Sequence, residues 1–114
     1  MSGHTVTTAP SDHRVRVELD GELIADSTRV LELHETGHKT RYYLPLEDVR
    51  DGVLQPSERT SHCPFKGDAS YYSARVNGEV HADVAWYYPE PIPAVAGIAG
   101  LVCFYPERVG LTVD

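Results

Sequence analysis

The sequence predicts a mostly β, single-domain protein, and three observations lead to this prediction. Several short segments, such as residues 15–19, alternate apolar and charged side chains with the period of two that marks a half-buried strand. Asp20-Gly21 and Asn77-Gly78 are strong signals for tight hairpin turns. No segment predicts a helix longer than about two turns. Many short strands separated by turns favour a β-rich domain with one or two short helical turns.

The first half of the chain is predicted to form four strands after a flexible tail at residues 1–12. Residues 13–19 and 22–26 pair across the Asp20-Gly21 turn, and a bend leads to a third strand at 30–34. A turn at 37–40 leads to the fourth strand, Arg41-Tyr42-Tyr43-Leu44. Residues 45–49 begin with proline and carry two acids, which is typical of a first helical turn. Residues 51–58 are predicted to be a loop.

The second half is predicted to contain one long hairpin and two shorter strands. Residues 69–76 pair with residues 79–87 around Asn77-Gly78. Pro89, Pro91 and Pro93 then interrupt the ladder, because proline has no amide proton to donate. A helical turn at 94–99, an apolar strand at 101–105 and a last strand at 111–113 complete a single domain expected to span residues 13–114. The strand at 101–105 could be an edge that pairs across a homodimer, or the central strand of the core.

Composition limits the class of function. A chain of 114 residues with 41% hydrophobic and 24% charged residues is typical of one globular domain. The net charge of −7 disfavours binding to extended nucleic acid but leaves a local site for one small anion open. No apolar run approaches the roughly 20 residues that span a membrane. Residues 1–11 lack the apolar core of a secretion signal, so we expect a cytoplasmic protein that does not contact membranes.

The two cysteines, Cys63 and Cys103, are too few for a disulfide scaffold and lack the paired spacing of a structural zinc site. One bridge between them is left open. His34 and His38 have the spacing of a helical turn but lie among strand and turn signals, so no metal site is predicted. The sequence identifies no cofactor.

Three stretches of the chain resemble a known bacterial family. They are Arg41-Tyr42-Tyr43-Leu44-Pro45, Ser61-His62-Cys63-Pro64-Phe65-Lys66-Gly67 and Ala85-Trp86-Tyr87-Tyr88-Pro89. Together they resemble the family catalogued as domain of unknown function 427, sometimes labelled nucleotidyltransferase-like, over roughly residues 13–114. The resemblance implies a β-tent fold, in which two antiparallel sheets meet at an angle and hold a ligand or catalytic site between them. The chain lacks the Cys-x-x-Cys zinc pairs of many β-tent proteins, and also the Gly-Ser and Asp-x-Asp arrangement of polymerase-like transferases.

The stretch from Thr60 to Gly67 contains the candidate catalytic residues, His62 and Cys63. A thiol beside imidazole and ammonium groups can ionise more easily and act as a nucleophile. The alternative is that Cys63 is a small buried residue at a strand end. Lys66, in the same turn, could anchor an anion or pair with a surface acid.

The candidate ligand-binding residues are Arg41, Tyr43, Lys66, Tyr72, Trp86 and Tyr88. Arg41 could offer a guanidinium fork to a carboxylate or phosphate, or could pair with Glu47 or Asp48. Neighbouring tyrosines should point to opposite faces of a sheet, so one of each pair could line a pocket. Trp86 could stack on a planar ligand or anchor the core.

Three functions are open at this stage. The first is a small-molecule pocket between the sheets, which could be catalytic, with aromatic walls and cationic anchors suited to an anionic or nucleotide-like ligand. The second is a non-catalytic module that binds a peptide or protein through an exposed aromatic patch. The third is a redox or thiol-sensing role for Cys63.

Overall fold

The computed structural model describes residues 3–114, which form two antiparallel sheets. The strands are β1 (Val6–Pro10), β2 (Val15–Leu19), β3 (Glu22–Ser27), β4 (Leu31–Glu35), β5 (Arg41–Leu44), β6 (Leu54–Cys63), β7 (Gly67–Val76), β8 (Glu79–Tyr87), β9 (Val102–Phe104) and β10 (Gly110–Val113). The larger sheet has seven strands in the order β1-β4-β5-β9-β8-β7-β6, and the smaller has the order β10-β2-β3. Two short 3-10 helices span Leu46–Asp48 and Pro93–Ile98. The predicted fold class is therefore confirmed.

Both predicted hairpin turns are confirmed, and their backbone angles show why these residues form them. Asp20 and Gly21 have φ values of 52° and 77°, and Asn77 and Gly78 have values of 52° and 81°. Two successive residues with positive φ match the right-handed twist of the flanking strands, and Asn, Asp and Gly tolerate this conformation best. The turns join β2 to β3 and β7 to β8.

The chain enters the sheet earlier than the sequence indicated. Residues Val6–Pro10 form β1, which pairs with β4 so that Thr8 lies opposite Leu33, although a tail was expected as far as residue 12. The segment is an edge strand with little buried apolar surface, so it lacks the alternation that identifies most strands. The remainder of the expected tail at Met1 and Ser2 lies outside the described residues.

The loop predicted at residues 51–58 is also wrong, because β6 begins at Leu54 and runs to Cys63. The strand is mostly exposed and contains Pro56, so its sequence lacks the apolar alternation that predicts a strand. Proline is tolerated there because β6 is an edge strand, and its pairing with β7 shifts register between Pro56 and Thr60.

The core consists of two clusters on the two faces of the large sheet. The space between the sheets is filled by aliphatic side chains and Phe104, including Val17, Ile24 and Leu44. The other face of the large sheet holds an aromatic cluster, covered by Val95 and Ile98 of the second 3-10 helix; its members are Leu33, Tyr43, Ala69, Tyr71, Trp86, Tyr88, Val95, Ile98 and Cys103. Strand alternation sends Leu44 to one cluster and its neighbour Tyr43 to the other.

The apolar strand β9 is central. It pairs with β5 on one side and β8 on the other, so it offers no free edge for a homodimer. Neither 3-10 helix within residues 3–114 has the length and apolar character needed to cross a membrane.

Candidate binding pocket

Register brings five side chains into one row across the large sheet. Leu31 lies opposite Tyr43, Tyr43 opposite Cys103, Cys103 opposite Trp86, and Trp86 opposite Tyr71. Directly opposed residues point to the same face of a sheet and lie close enough for their side chains to touch. The row therefore forms the floor of the aromatic cluster.

A cavity of about 410 Å³ opens over this floor. Its lining residues come from the five strands β4 to β8 and from segments that flank the strands: His4, Glu35, His38, Arg41, Tyr43, Cys63, Phe65, Lys66, Tyr71, Trp86, Tyr88 and Tyr105. The cavity lies on the face of the large sheet that points away from the small sheet, and not between the two sheets as expected. The physical reason is that aliphatic side chains already fill the space between the sheets.

Arg41, Tyr43 and Trp86 form one contact group in the cavity. The indole Nε1 of Trp86 donates a hydrogen bond of 3.0 Å to the Tyr43 hydroxyl, and the Arg41 guanidinium carbon lies 5.2 Å from the indole centroid. Burial is the main cause that raises the pKa of Tyr43, so this phenol stays protonated. The expected alternative, an ion pair of Arg41 with Glu47 or Asp48, does not form within residues 3–114, and Asp48 binds Arg29 instead.

One donor of Arg41 has no protein partner. Its Nη1 is buried and finds no acceptor among residues 3–114. A buried donor without a partner costs about 1–3 kcal/mol, so such groups are rare in folded proteins. This nitrogen is therefore an unsatisfied hydrogen-bond donor on a residue that lines the cavity.

Glu35 is the acid of the cavity, and three basic side chains surround it. Lys66 Nζ binds its Oε1, His4 Nε2 lies 2.8 Å from its Oε2, and His38 Nε2 lies 3.8 Å from the same oxygen. The Glu35 and Lys66 side chains are only 9% and 13% exposed. Burial alone would raise the pKa of Glu35, but the hydrogen bonds from Lys66 and His4 and the nearby positive charges hold it below its usual value. Lys66 thus pairs with a buried acid, whereas the alternative considered was a surface acid.

The turn that carries Lys66 is fastened to the proline-rich segment. The carbonyl of Lys66 accepts a hydrogen bond of 2.9 Å from the amide of Ile92. Gly67 has a φ of +119°, and a Cβ there would lie 3.4 Å from the carbonyl oxygen of Glu90. A side chain at residue 67 would be strained in this conformation, so the backbone favours glycine at this position.

The structure brings six of the eight predicted site residues to the cavity: Arg41, Tyr43, Cys63, Lys66, Trp86 and Tyr88. His62 and Tyr72 lie elsewhere. His62 is 70% exposed and its Nδ1 lies 2.7 Å from Asp68 Oδ1. Because His62 and Cys63 are neighbours in β6, strand alternation sends their side chains to opposite faces. A His62–Cys63 catalytic pair is therefore not formed.

Tyr71 occupies the position expected for Tyr72. Tyr71 lines the cavity and its hydroxyl lies 2.8 Å from Ser61 Oγ. Tyr72 stacks on Tyr87 at 4.5 Å and packs against the cluster between the sheets. The prediction that the two members of each tyrosine pair point to opposite faces of the sheet is confirmed. Strand register places Tyr71 opposite Trp86, and this decides that Tyr71, and not Tyr72, faces the cavity.

The sequence profile of the domain of unknown function DUF427 matches residues 7–114. The chain belongs to this family. The family resemblance is therefore confirmed, and the match begins within β1, six residues before the expected domain start. No curated protein matches the chain. The description of the DUF427 family names no activity, so the function has to be argued from the site.

Sequence reasoning missed half of the lining residues of this DUF427 pocket: His4, Glu35, His38, Phe65, Tyr71 and Tyr105. His4 belongs to the expected tail, yet its ring stacks on Phe65 at 4.0 Å. Glu35 follows Leu31 and Leu33 at intervals of two, so it shares their face of β4. That periodicity was the one available signal for Glu35.

A three-residue group elsewhere in the DUF427 domain has ligand atoms close enough for a metal ion. These atoms of Asp20, Glu79 and His81 lie within 4.8 Å of one another. His81 Nε2 already hydrogen-bonds Asp20 Oδ2 at 2.8 Å, and the two acids are exposed. The group is explained as a surface ion pair, and we assign no metal to it.

The two thiols are free and should differ in reactivity. Cys103 is 1% exposed, and burial is the main cause that raises its pKa to about 12. Cys63 is half-buried and lines the cavity. We expect Ellman's reagent to label one thiol in the native protein and two in denaturant. Cys63→Ser should abolish native labelling and Cys103→Ser should preserve it, whereas an unreactive Cys63 would eliminate a thiol-based role.

Proposed function

We propose that the cavity binds a small anionic molecule, with the anion on Arg41 and a flat part of the ligand against Trp86 and Tyr105. The observation that carries this proposal is the buried, unpartnered Nη1 of Arg41. A carboxylate or phosphate oxygen on this nitrogen would satisfy the donor with a charge-assisted hydrogen bond.

The charges in the cavity support an anion over a cation. Lys66 and Glu35 neutralise each other, while Arg41 has no carboxylate partner among residues 3–114. The cavity therefore keeps one unbalanced positive charge in a protein whose net charge is −7. An anion is attracted to such a site because the low-dielectric walls strengthen the interaction.

The size and walls of the cavity support a small molecule over a peptide. A volume of about 410 Å³ lies within the range of ligand pockets, roughly 300–1,000 Å³. Tyr43, Tyr71 and Tyr88 are buried, so the tyrosines form a hollow and not an exposed flat patch. Trp86 and Tyr105 lie 4.5 Å apart at a tilt of 57° and both line the cavity, so they give it aromatic walls for a planar group.

Thermal-shift and calorimetric titration with nucleotides, sugar phosphates and aromatic carboxylates tests the proposal. We expect at least one class to stabilise the parent by about 2.7 kcal/mol when present at a hundred times its Kd. Arg41→Gln should weaken that binding by about 1.5–3 kcal/mol, the value of a charged hydrogen bond. Arg75→Gln is the matched control, since Arg75 is exposed on β7 and is not a lining residue. Equal affinity of the Arg41→Gln variant and the parent would refute the assignment.

A further inference from the structure

Two more arginines lie over aromatic rings of the cavity. The guanidinium carbon of Arg59 lies 4.5 Å from the centroid of Tyr71, and that of Arg108 lies 4.7 Å from the centroid of Tyr105. Both tyrosines line the cavity, and their rings are nearly parallel with centroids 6.5 Å apart. The aromatic floor that begins under Arg41 therefore continues to two further guanidinium groups, which lie beside the cavity and are not among its lining residues.

Most of the other arginines in the described part of the chain have close carboxylate partners, and Arg75 is the exception. Four arginines bind carboxylates directly: Arg14 with Asp26, Arg16 with Asp114, Arg29 with Asp48, and Arg50 with Glu22. Within residues 3–114, the arginines over cavity rings are Arg41, Arg59 and Arg108, and none of them has a carboxylate oxygen closer than 4.0 Å.

Asp83 binds Arg108 through its backbone and lies near Arg59, and both arginines keep most of their donors free. Arg108 Nη1 donates to the backbone carbonyl of Asp83 at 2.7 Å, and Arg59 Nη1 lies 4.0 Å from the Asp83 carboxylate. That carboxylate accepts a hydrogen bond of 2.5 Å from Ser57 Oγ. Asp83 itself has a φ of 50°, a left-handed conformation that is uncommon outside glycine. A guanidinium has five N–H donors, so each arginine keeps several for a ligand.

Neutral hydroxyl groups complete this side of the cavity. The hydroxyl of Tyr71 lies against Ser61, and Tyr105 is half-buried beside it. Burial first, and then the hydrogen bond with Tyr71, raises the pKa of Tyr105, so this phenol stays protonated at neutral pH and can donate to an anion.

We propose that Arg59 and Arg108 form a second anion subsite, so that the ligand carries two separated anionic groups joined by a ring-containing segment. This inference rests on the proposed function, in which Arg41 binds the first anion. The ring segment lies over Trp86 and Tyr105, between the two cationic positions. The net charge of −7 disfavours a long polyanion, so a small bis-anion fits better than a nucleic-acid strand.

Matched probes with one and two anionic groups test the inference by calorimetry. One pair is naphthalene-2-carboxylate and naphthalene-2,6-dicarboxylate; the other is adenosine 5′-monophosphate and adenosine 3′,5′-bisphosphate. In at least one pair we expect the bis-anion to bind the parent about tenfold more tightly, the value of one charge-assisted hydrogen bond. The double variant Arg59→Gln/Arg108→Gln should remove this advantage and change the affinity of the mono-anion by less than about twofold. Arg75→Gln should retain the full advantage.

The outcomes separate this inference from the proposed function. If mono-anions bind through Arg41 but bis-anions bind no better, the second subsite is wrong and the first stands. If the advantage survives in the double variant, the second anion binds elsewhere and the assignment to Arg59 and Arg108 is wrong. If no probe binds the parent, both proposals fail. Circular dichroism of the double variant checks that any loss does not come from misfolding, which exposed arginines should not cause.

Discussion

Trp86→Ala is expected to lower the free energy of unfolding by about 4 kcal/mol, the usual loss for deleting a buried tryptophan side chain. Trp86 is buried on the floor of the pocket between Cys103 and Tyr71. Its removal leaves a cavity, takes the hydrogen-bond donor from the Tyr43 hydroxyl and removes the ring beneath Arg41. Urea unfolding followed by far-ultraviolet circular dichroism measures the change without relying on tryptophan fluorescence.

Two variants separate the contributions of Trp86. Trp86→Phe keeps an aromatic ring but loses the donor, so we expect a smaller loss of about 1–2 kcal/mol. Val80→Ala truncates an exposed side chain of the same strand, and its loss should stay within about 0.5 kcal/mol. A Trp86→Ala loss as small as that of Val80→Ala would mean that the indole is not packed as described.

Lys66→Met is expected to lower the free energy of unfolding by about 1.5–3 kcal/mol, because it leaves a largely buried carboxylate without its main partner. Methionine has a similar length, so the packing of the stem is retained. Glu35 keeps only its contacts with His4 and His38. The double variant Glu35→Gln/Lys66→Met removes both charges and should recover most of the loss. The same unfolding measurement on the parent, both single variants and the double variant gives the coupling energy.

An exposed ion pair provides the matched control for Lys66. Arg14 and Asp26 form a bidentate pair on the surface, where water screens the charges, so breaking it with Arg14→Met should destabilise the fold much less than Lys66→Met. A Lys66→Met effect no larger than this would contradict the burial of the Glu35–Lys66 pair.

The same pair predicts how stability changes in acid. The pKa of Glu35 in the folded protein lies below its ordinary value of 4.5. Its contribution to stability is therefore complete above pH 4.5 and is lost as the pH falls through the lowered folded pKa, because the unfolded chain then binds a proton more readily. When the parent and the Glu35→Gln variant are compared, the difference in their free energies of unfolding should shrink below pH 4.5.

The pocket residues also belong to the core, which affects how the site should be probed. Tyr43, Tyr71, Trp86 and Tyr88 are members of the buried aromatic cluster, so substitutions there change both stability and ligand contacts. Arg41, Arg59 and Arg108 lie on the rings without being part of that cluster. Substitutions of these arginines are therefore the cleaner tests of binding.

Strands with one buried face could be read from the sequence with good accuracy. The bounds of β5 and β8 are those predicted, β2 and β7 differ by two residues at the N-terminal end, and β9 is one residue shorter at each end. Each has apolar residues that the core requires on at least one face. The edge strands β1 and β6 were missed because one side of their backbone is unpaired and their side chains are mostly exposed, so neither packing nor pairing demands a pattern.

The site was predicted only in part, because its contacts join distant residues. Arg41 meets Trp86, and Glu35 meets Lys66, through the order of strands in the large sheet. The choice between Tyr71 and Tyr72 depends on pairing with β8, where a register shift follows Tyr72. No local pattern contains that information.

Local chemistry in the sequence determined the class of fold, the two hairpin turns and the residue types available for a site, since these depend on neighbours along the chain. The tertiary structure alone decided which face of the large sheet holds the cavity and which cations keep free donors. Arg41, Arg59 and Arg108 differ from the four carboxylate-bound arginines only in what packs beside them. Packing partners are set by strand order and register, and these are properties of the whole chain.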